Sequence, residues 1–332
     1  MTLRPGPRNA LTDVAGLTVG QAEDGVLPTG VTVVVADRPV VAAVEQRGGA
    51  PGSRELALMA AENLVERIDA VVLAGGSAFG LAAADAVMDA LAADGRGFVA
   101  GPARVPIVPA LVLFDLKLGP PERSTALYAA LGTAAYAARD LDVARGSVGA
   151  GRGATCGGLK GGIGTASVVD PVTAATVAAL VAVNAGGSAV IPGTGTLWAW
   201  PFELAGEMGG QRPPAGPIDT TPGAPGFLGG NTTLVVVATD ATLDRPAAKR
   251  LAMMADDGLT RALRPAHTPF DGDAVIALST GAGPAVDKFG LARLGTLAGD
   301  VVARAIGRAV FEAAGVAGYP GYRERHRPDI QR

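Results

Sequence analysis

The stretch Gly229-Gly230-Asn231-Thr232-Thr233-Leu234-Val235-Val236-Val237-Ala238-Thr239-Asp240 joins a glycine turn to an apolar, β-branched run. Such residues suit a pleated, buried surface, so the run predicts a strand over 233–239 that starts directly after an Asn-Thr peptide. A hydroxyl at that entry can attack the carbonyl before it, sever the chain and leave Thr232 as a new N-terminus. Thr232 would then hold a nucleophilic Oγ and, on the same residue, an α-amine as base. A free α-amine titrates at about 7.7–8.0, so it can take a hydroxyl proton near neutral pH without a histidine. The chain has only two histidines. Taken alone, Asn-Thr before a strand also reads as a plain turn.

Composition narrows the options. At 332 residues and 48% hydrophobic content, the chain can build a sizeable core, and abundant Gly and Ala with few aromatics imply close backbone packing. A net charge of −3 without a basic run argues against nucleic acid as a partner. The start, Met1-Thr2-Leu3-Arg4-Pro5-Gly6, has no apolar core of a signal peptide. The longest uncharged stretch, Pro171 to Phe202, is broken by Asn184, Gly186-Gly187 and Pro192, so no membrane span is expected. The single Cys156 excludes an internal disulfide, and one Cys with two His makes a zinc site improbable. A cytoplasmic protein without metal or cofactor is expected. Arg323-Glu324-Arg325-His326-Arg327 reads as a solvated tail.

Along the chain, Thr29–Asp37 and Val40–Val44 predict two strands joined by an Arg-Pro turn. Ser53 is placed to cap a helix from about Arg54 to Arg67. Strands are predicted over Asp69–Ala74, Ala110–Phe114, Thr165–Val169, Val177–Val183 and Ala274–Leu278. Helices are predicted over Phe79–Ala93, Ala126–Arg139, from Asp244 onward with Pro246 in the first turn, and over Leu291–Ala314. Pro192–Gly229 is a long Pro- and Gly-rich loop. Mixed strands and helices with adjacent strand pairs favour a layered α/β fold over a doubly wound parallel sheet.

Other candidates each have a plain alternative. Lys160 sits in the glycine-rich segment Thr155–Gly164, which can line a cleft with N–H donors, although the Walker spacing is absent and Lys160 could be an ordinary surface lysine. Asn184 ends an apolar strand, either as a turn former or as an oxyanion donor. Asp271 and Asp273 share one side of an extended segment, fit to hold a cation or the ammonium of a new N-terminus. Ser77, in Gly75-Gly76-Ser77-Ala78-Phe79-Gly80, lies between strand and helix as a hydrolase nucleophile does. It misses the G-x-S-x-G pattern. A Ser77/His267 esterase is the rival catalytic assignment, with His267 otherwise structural.

Together these segments resemble the N-terminal-nucleophile family of L-aminopeptidase/D-amidase-esterases, β-peptidyl aminopeptidases and nylon-oligomer hydrolases. The resemblance covers almost the whole chain, from Leu11-Thr12-Asp13-Val14-Ala15-Gly16 through Gly48–Glu55, Gly75–Leu81, Pro106–Ala110, Phe114-Asp115, Gly157–Ser167 and Val183-Asn184 to Asn231–Asp240 and Asp271-Gly272-Asp273. It implies a layered α/β/β/α N-terminal-nucleophile-hydrolase-like fold. It also implies one catalytic domain that splits itself between Asn231 and Thr232 into chains 1–231 and 232–332. Thr232 then matches the nucleophile, Lys160 and Asn184 the surroundings of the scissile carbonyl, and Asp271 and Asp273 the pair that orients the Thr232 amine and hydroxyl. Some members carry a tyrosine where this chain has Phe79, which here is expected to form an apolar wall of the substrate pocket beside Ser77. The threonine nucleophile is the choice of the nylon-oligomer hydrolases, whereas Gly75–Leu81 looks closer to the aminopeptidases. Expected substrates are short peptides or amide oligomers with small N-terminal, β- or D-residues, with 6-aminohexanoate oligomers as the alternative. Self-association of αβ units, as tetramers, is a further implication.

Overall fold

The computed structural model describes residues 3–120, 122–218, 220 and 230–326. In chain order the strands are β1 Leu17–Glu23, β2 Gly30–Gln46, β3 Gly52–Arg54, β4 Arg67–Ala74, β5 Phe98–Ala100, β6 Ala103–Val105 and β7 Ala110–Val112. They continue with β8 Thr155–Cys156, β9 Leu159–Lys160, β10 Gly162–Val169, β11 Thr176–Asn184, β12 Thr232–Thr239 and β13 Ala274–Ser279. The α-helices are α1 Ala82–Ala93, α2 Thr125–Ala137, α3 Arg245–Ala262, α4 Lys288–Glu312 and α5 Tyr322–His326.

Among the described residues eight strands form one hydrogen-bonded path, β10-β11-β12-β13-β2-β4-β7-β3, and β1, paired with β2 off that path, is the ninth strand of the sheet. The path becomes two layers because β2 belongs to both. Its residues Val31–Val35 pair with β4, and Val41–Gln46 pair with β13, with a register shift between Val35 and Val40. Pro39 has no N–H to give the ladder, and Asp37, Arg38 and Pro39 are exposed at the bend. The Arg-Pro segment expected as a turn between two strands is therefore a bulge inside one 17-residue strand.

Side-chain alternation shows the layering. Val34, Ala36, Val40 and Ala42 of β2 share a core with Leu73 of β4, Leu111 of β7, Leu180 of β11, Val236 of β12 and Ile276 of β13. That core lies between the two sheet halves. On the outer face of one half, Val31, Val33 and Val35 pack with Val87 and Leu91 of α1 and Tyr128 of α2. On the outer face of the other, Val181, Val235, Val237 and Val275 pack with Leu251 and Leu259 of α3 and Val302 and Ile306 of α4. The order is α/β/β/α, as expected.

Helix ends follow the sequence. Ser124, Asp244 and Asp287 cap α2, α3 and α4 by accepting from Leu127, Ala247 and Gly290. The glycines of α4 do not interrupt it. A Cβ on Gly258 of α3 would lie 2.4 Å from the Gly299 carbonyl oxygen, so these two glycines let the helices touch backbone to backbone.

Two further expectations fail. The helix from Arg54 to Arg67 is absent: Gly52–Arg54 pairs with Ala110–Val112, and only a single 3-10 turn, Ala57–Met59, follows. Glu55 has φ +61°, and the buried Arg245 guanidinium takes the carbonyls of Ala60, Asn63 and Val65, which a helix would need for itself. The charged C-terminus is not wholly a solvated tail either. Residues 322–326 form α5, with Tyr322 fully buried and its hydroxyl on the Gly195 carbonyl. Arg327, and residues 219 and 221–229 of the long loop, lie outside the described residues. Among the described residues no helix is long and apolar enough to cross a membrane.

Candidate active site

Strand β12 runs through the middle of its sheet half, antiparallel to β11 and parallel to β13. Thr232 is its first residue, paired with Asn184, the last of β11. Alternation puts Thr232 on the side of Leu234 and Val236, at the rim of the core between the sheets. Gly230 approaches with φ +82°, and a Cβ on it would strike the Phe114 ring at 2.1 Å, so only glycine brings the chain in along this path.

The Thr232 Oγ1 is 2.5 Å from the carbonyl oxygen of Asn231. The same oxygen accepts the Gly272 N–H at 2.9 Å, because the parallel pairing of β12 with β13 extends back to Asn231 and Asp271. The Thr232 hydroxyl and the Gly272 N–H thus meet at one carbonyl oxygen, and the N–H stands where an oxyanion donor would. Gly272 has no composition signal of its own. Only its place between two aspartates marks it.

Asn184 is buried and its amide is fully used. Oδ1 accepts the Thr155 N–H at 3.0 Å, while Nδ2 donates to Phe114 O at 3.1 Å and Gly230 O at 3.3 Å. Asn184 therefore grips the peptide one residue before Asn231, and Gly272 holds the Asn231 carbonyl itself. Lys160 is entirely buried, and Thr155 opposite it in the β8–β9 pair ties it to Asn184. Its ammonium donates to the carbonyls of Gly151, Arg152 and Ala154. Burial, then the nearby Arg152 charge, pushes its pKa down to about 7, with Asp115 opposing. Lys160 is not a surface lysine; here it holds a loop beside the site.

Asp271 and Asp273 flank Gly272, both nearly fully buried. Asp271 accepts the Thr268 N–H at 2.7 Å. Asp273 accepts the Thr233 N–H at 2.7 Å and the His267 N–H at 3.1 Å, so it holds the residue after Thr232. Burial, and also the charge of Asp273, raises the Asp271 pKa.

Ser77 and Phe79 lie on the 3-10 turn after β4. Ser77 N–H donates to Leu113 O at 2.9 Å, next to the Phe114 whose carbonyl meets Asn184. Beneath it, buried Asp115 accepts from Gly76 N–H at 2.7 Å and from the Thr29 hydroxyl at 2.6 Å. The His267 ring nitrogens face carboxylates, Nε2 at 3.2 Å from Asp256 and Nδ1 at 3.0 Å from Asp273. Burial lowers its pKa, but Asp256 and Asp273 outweigh that and push it up to about 9. With one ring nitrogen turned to Asp256 and the other to Asp273, neither faces a Ser77 hydroxyl, which disfavours the esterase pairing. Asp256, in mid-helix on α3, is a participant that no sequence pattern singled out, and Phe114, marked in the sequence only as a strand end and within the resemblance, offers its carbonyl to Asn184.

The family described as Peptidase family S58 matches residues 9–324. An uncharacterized aminopeptidase of Mycobacterium tuberculosis is 44% identical over 341 residues, covering 95% of this chain and 97% of that one. A 6-aminohexanoate-oligomer endohydrolase of Paenarthrobacter ureafaciens is 28% identical, covering 81% and 74%. Among solved structures, a Burkholderia sp. beta-aminopeptidase superposes with a TM-score of 0.72 at 25% identity, over 97% of this chain and 92% of that one. The L-aminopeptidase D-Ala-esterase/amidase of Ochrobactrum anthropi, described as a variant of the Ntn hydrolase fold, gives 0.70 at 22%, over 96% and 90%. The α/β/β/α layers are thus those of an Ntn-type hydrolase.

Proposed function

Because the chain belongs to peptidase family S58, we propose that it is an amide hydrolase that splits itself before Thr232 and then uses Thr232 as an N-terminal nucleophile. The observation that carries this reading is the convergence of Thr232 Oγ1 and Gly272 N–H on the Asn231 carbonyl. In the first reaction Oγ1 bonds to the Asn231 carbonyl carbon, and charge gathers on the oxygen that Gly272 already contacts. The C–N bond then breaks, the Thr232 nitrogen takes the hydroxyl proton, and an ester joins Asn231 to Oγ1. Water cleaves that ester, leaving Asn231 as a carboxylate and Thr232 as a free amine.

In the second reaction the α-amine takes the Oγ1 proton as Oγ1 attacks a substrate amide. The proton passes to the departing amine, and water releases the acid from its ester on Thr232. Nucleophile and base share one residue, so little ordering entropy is lost in bringing them together. On this reading the substrates are short peptides with small N-terminal residues, β- and D-residues included, and the relatives named aminopeptidase and beta-aminopeptidase support peptides as the class. The 28% identical oligomer endohydrolase supports 6-aminohexanoate oligomers as the second substrate class.

Intact mass tests the first reaction. Dividing 32.9 kDa in proportion to length gives pieces of about 23 and about 10 kDa for 1–231 and 232–332. Thr232→Ala is expected to stay whole and inactive on amides. A continuous wild-type chain with full activity, or an active Thr232→Ala protein, would overturn the assignment.

A further inference from the structure

Behind the start of β12 runs a line of charges, buried except for the half-exposed Arg47, that the acyl-transfer steps leave unused. Asp256 of α3 is fully buried and meets two cations, Arg47 at 3.0 Å, just beyond the end of β2, and the His267 Nε2 at 3.2 Å. The other face of the same ring meets Asp273 at 3.0 Å, and Asp273 holds the Thr233 N–H at 2.7 Å. Neither ring N–H points squarely at its oxygen, so the two contacts are short charge-pair distances rather than aligned hydrogen bonds. His267 has φ +56°, a conformation that a non-glycine residue keeps only where its surroundings fix it. Here the fixing contact is its own N–H on Asp273.

We propose that His267 is a positioning residue for the Thr232 reaction: held as a cation between Asp256 and Asp273, it keeps the Asp273 carboxylate aimed at the Thr233 amide and thereby sets where β12 presents Thr232. The proposal rests on Thr232 being the nucleophile. The charged groups around the ring are Asp256 from α3, Asp273 and Asp271 from the turn before β13, and Arg47 acting through Asp256. Three carboxylates face two cations, so loss of the His267 proton leaves buried negative charge uncompensated. The direction of the His267 shift agrees with this geometry: the carboxylates raise it to about 9 against the effect of burial. A raised histidine stabilises its surroundings fully below about 6.5 and loses that effect as pH climbs through its folded value. Above about 9 the grip on Thr233 is therefore expected to loosen.

The test combines spectroscopy and kinetics. The chain has only two histidines, so the imidazole resonances of the uncleaved Thr232→Ala protein can be assigned with a His326→Gln variant. His267 is expected to titrate near 9 there, and kcat of the processed wild type to fall along the same limb. Asp256→Asn should move both the titration and the alkaline limb down by about one unit or more. His267→Gln should erase the limb and lower kcat about tenfold with KM changed less than about threefold, a split that general loosening of the fold would not give. A His267 titrating near its free value, or a His267→Gln enzyme with unchanged kcat and pH profile, overturns the proposal. Should His267→Gln fail to fold, an alkaline limb unmoved by Asp256→Asn overturns it equally. An active, unsplit Thr232→Ala protein would sink the nucleophile assignment and leave the measured titration standing.

Discussion

The α-carbon of Gly272 faces the Thr232 hydroxyl so closely that a methyl group there would lie 2.8 Å from Oγ1. The same methyl would lie 2.8 Å from the Ala50 carbonyl oxygen, a contact real Cβ atoms do not make. Something must shift in Gly272→Ala, and the backbone on the Ala50 side is the stiffer wall. Thr232 is therefore expected to be pushed away from the Asn231 carbonyl. Since displacement of about 1 Å can cost a factor of about 100 in rate, self-cleavage should slow at least about tenfold. A time course of chain splitting on a denaturing gel measures this, and a wild-type rate would remove Gly272 from the site.

Asn184 offers a second check, because both ends of its amide are engaged. Asn184→Ala leaves the Thr155 N–H and two carbonyls without their partner, at a cost of about 1–3 kcal/mol. Asn184→Asp keeps the acceptor for Thr155 but sets a carboxylate against the Phe114 and Gly230 carbonyl oxygens. Both variants should split slowly, Asp more slowly than Ala, and Asp should melt at the lower temperature. Asn184→Asp splitting as fast as wild type would show that the grip on Gly230 is immaterial.

Phe79 is 42% exposed on its turn, and as the proposed wall of the substrate pocket it would touch the substrate rather than the Asn231-Thr232 peptide. Phe79→Ala should leave self-cleavage at its wild-type rate. Removing an apolar wall is worth about 1–3 kcal/mol of burial, so kcat/KM for a short amide should fall between about fivefold and about 150-fold, mainly through KM. An unchanged KM would place the substrate elsewhere.

How far the sequence discloses this arrangement depends on whether a feature is local. The strand expected over 233–239, the cap at Asp244 and the aspartate pair are set by near neighbours, and they were legible. The segment after Arg54 carries a helical apolar pattern, yet its carbonyls are claimed by Arg245, almost two hundred residues away, which no local pattern shows. The same limit hides the site's depth. Nothing near Asp256 in sequence signals that it will face His267, and Lys160 in its glycines reads equally well as surface or core. The bend at Pro39 that doubles the sheet is visible as a proline, but its result depends on which strands pair on each side.

Lys160 and His267 pull stability in opposite directions as pH changes. A lysine lowered to about 7 from 10.5 holds its proton more tightly when unfolded, so between those values the unfolded chain binds more protons and stability rises with pH. A histidine raised from 6.5 to about 9 binds its proton more tightly when folded, so across that window stability falls with pH. Between about 7 and 9 the two slopes largely cancel in the wild type. Lys160→Met keeps the bulk of the side chain, removes the first slope and strips the donor from the Gly151, Arg152 and Ala154 carbonyls. It should be less stable at pH 7 by about 1–3 kcal/mol. Its melting temperature should then drop steadily from pH 7 to 9, where the wild type stays nearly level. Parallel melting curves for the two proteins across that range would mean that Lys160 keeps its charge in the folded chain.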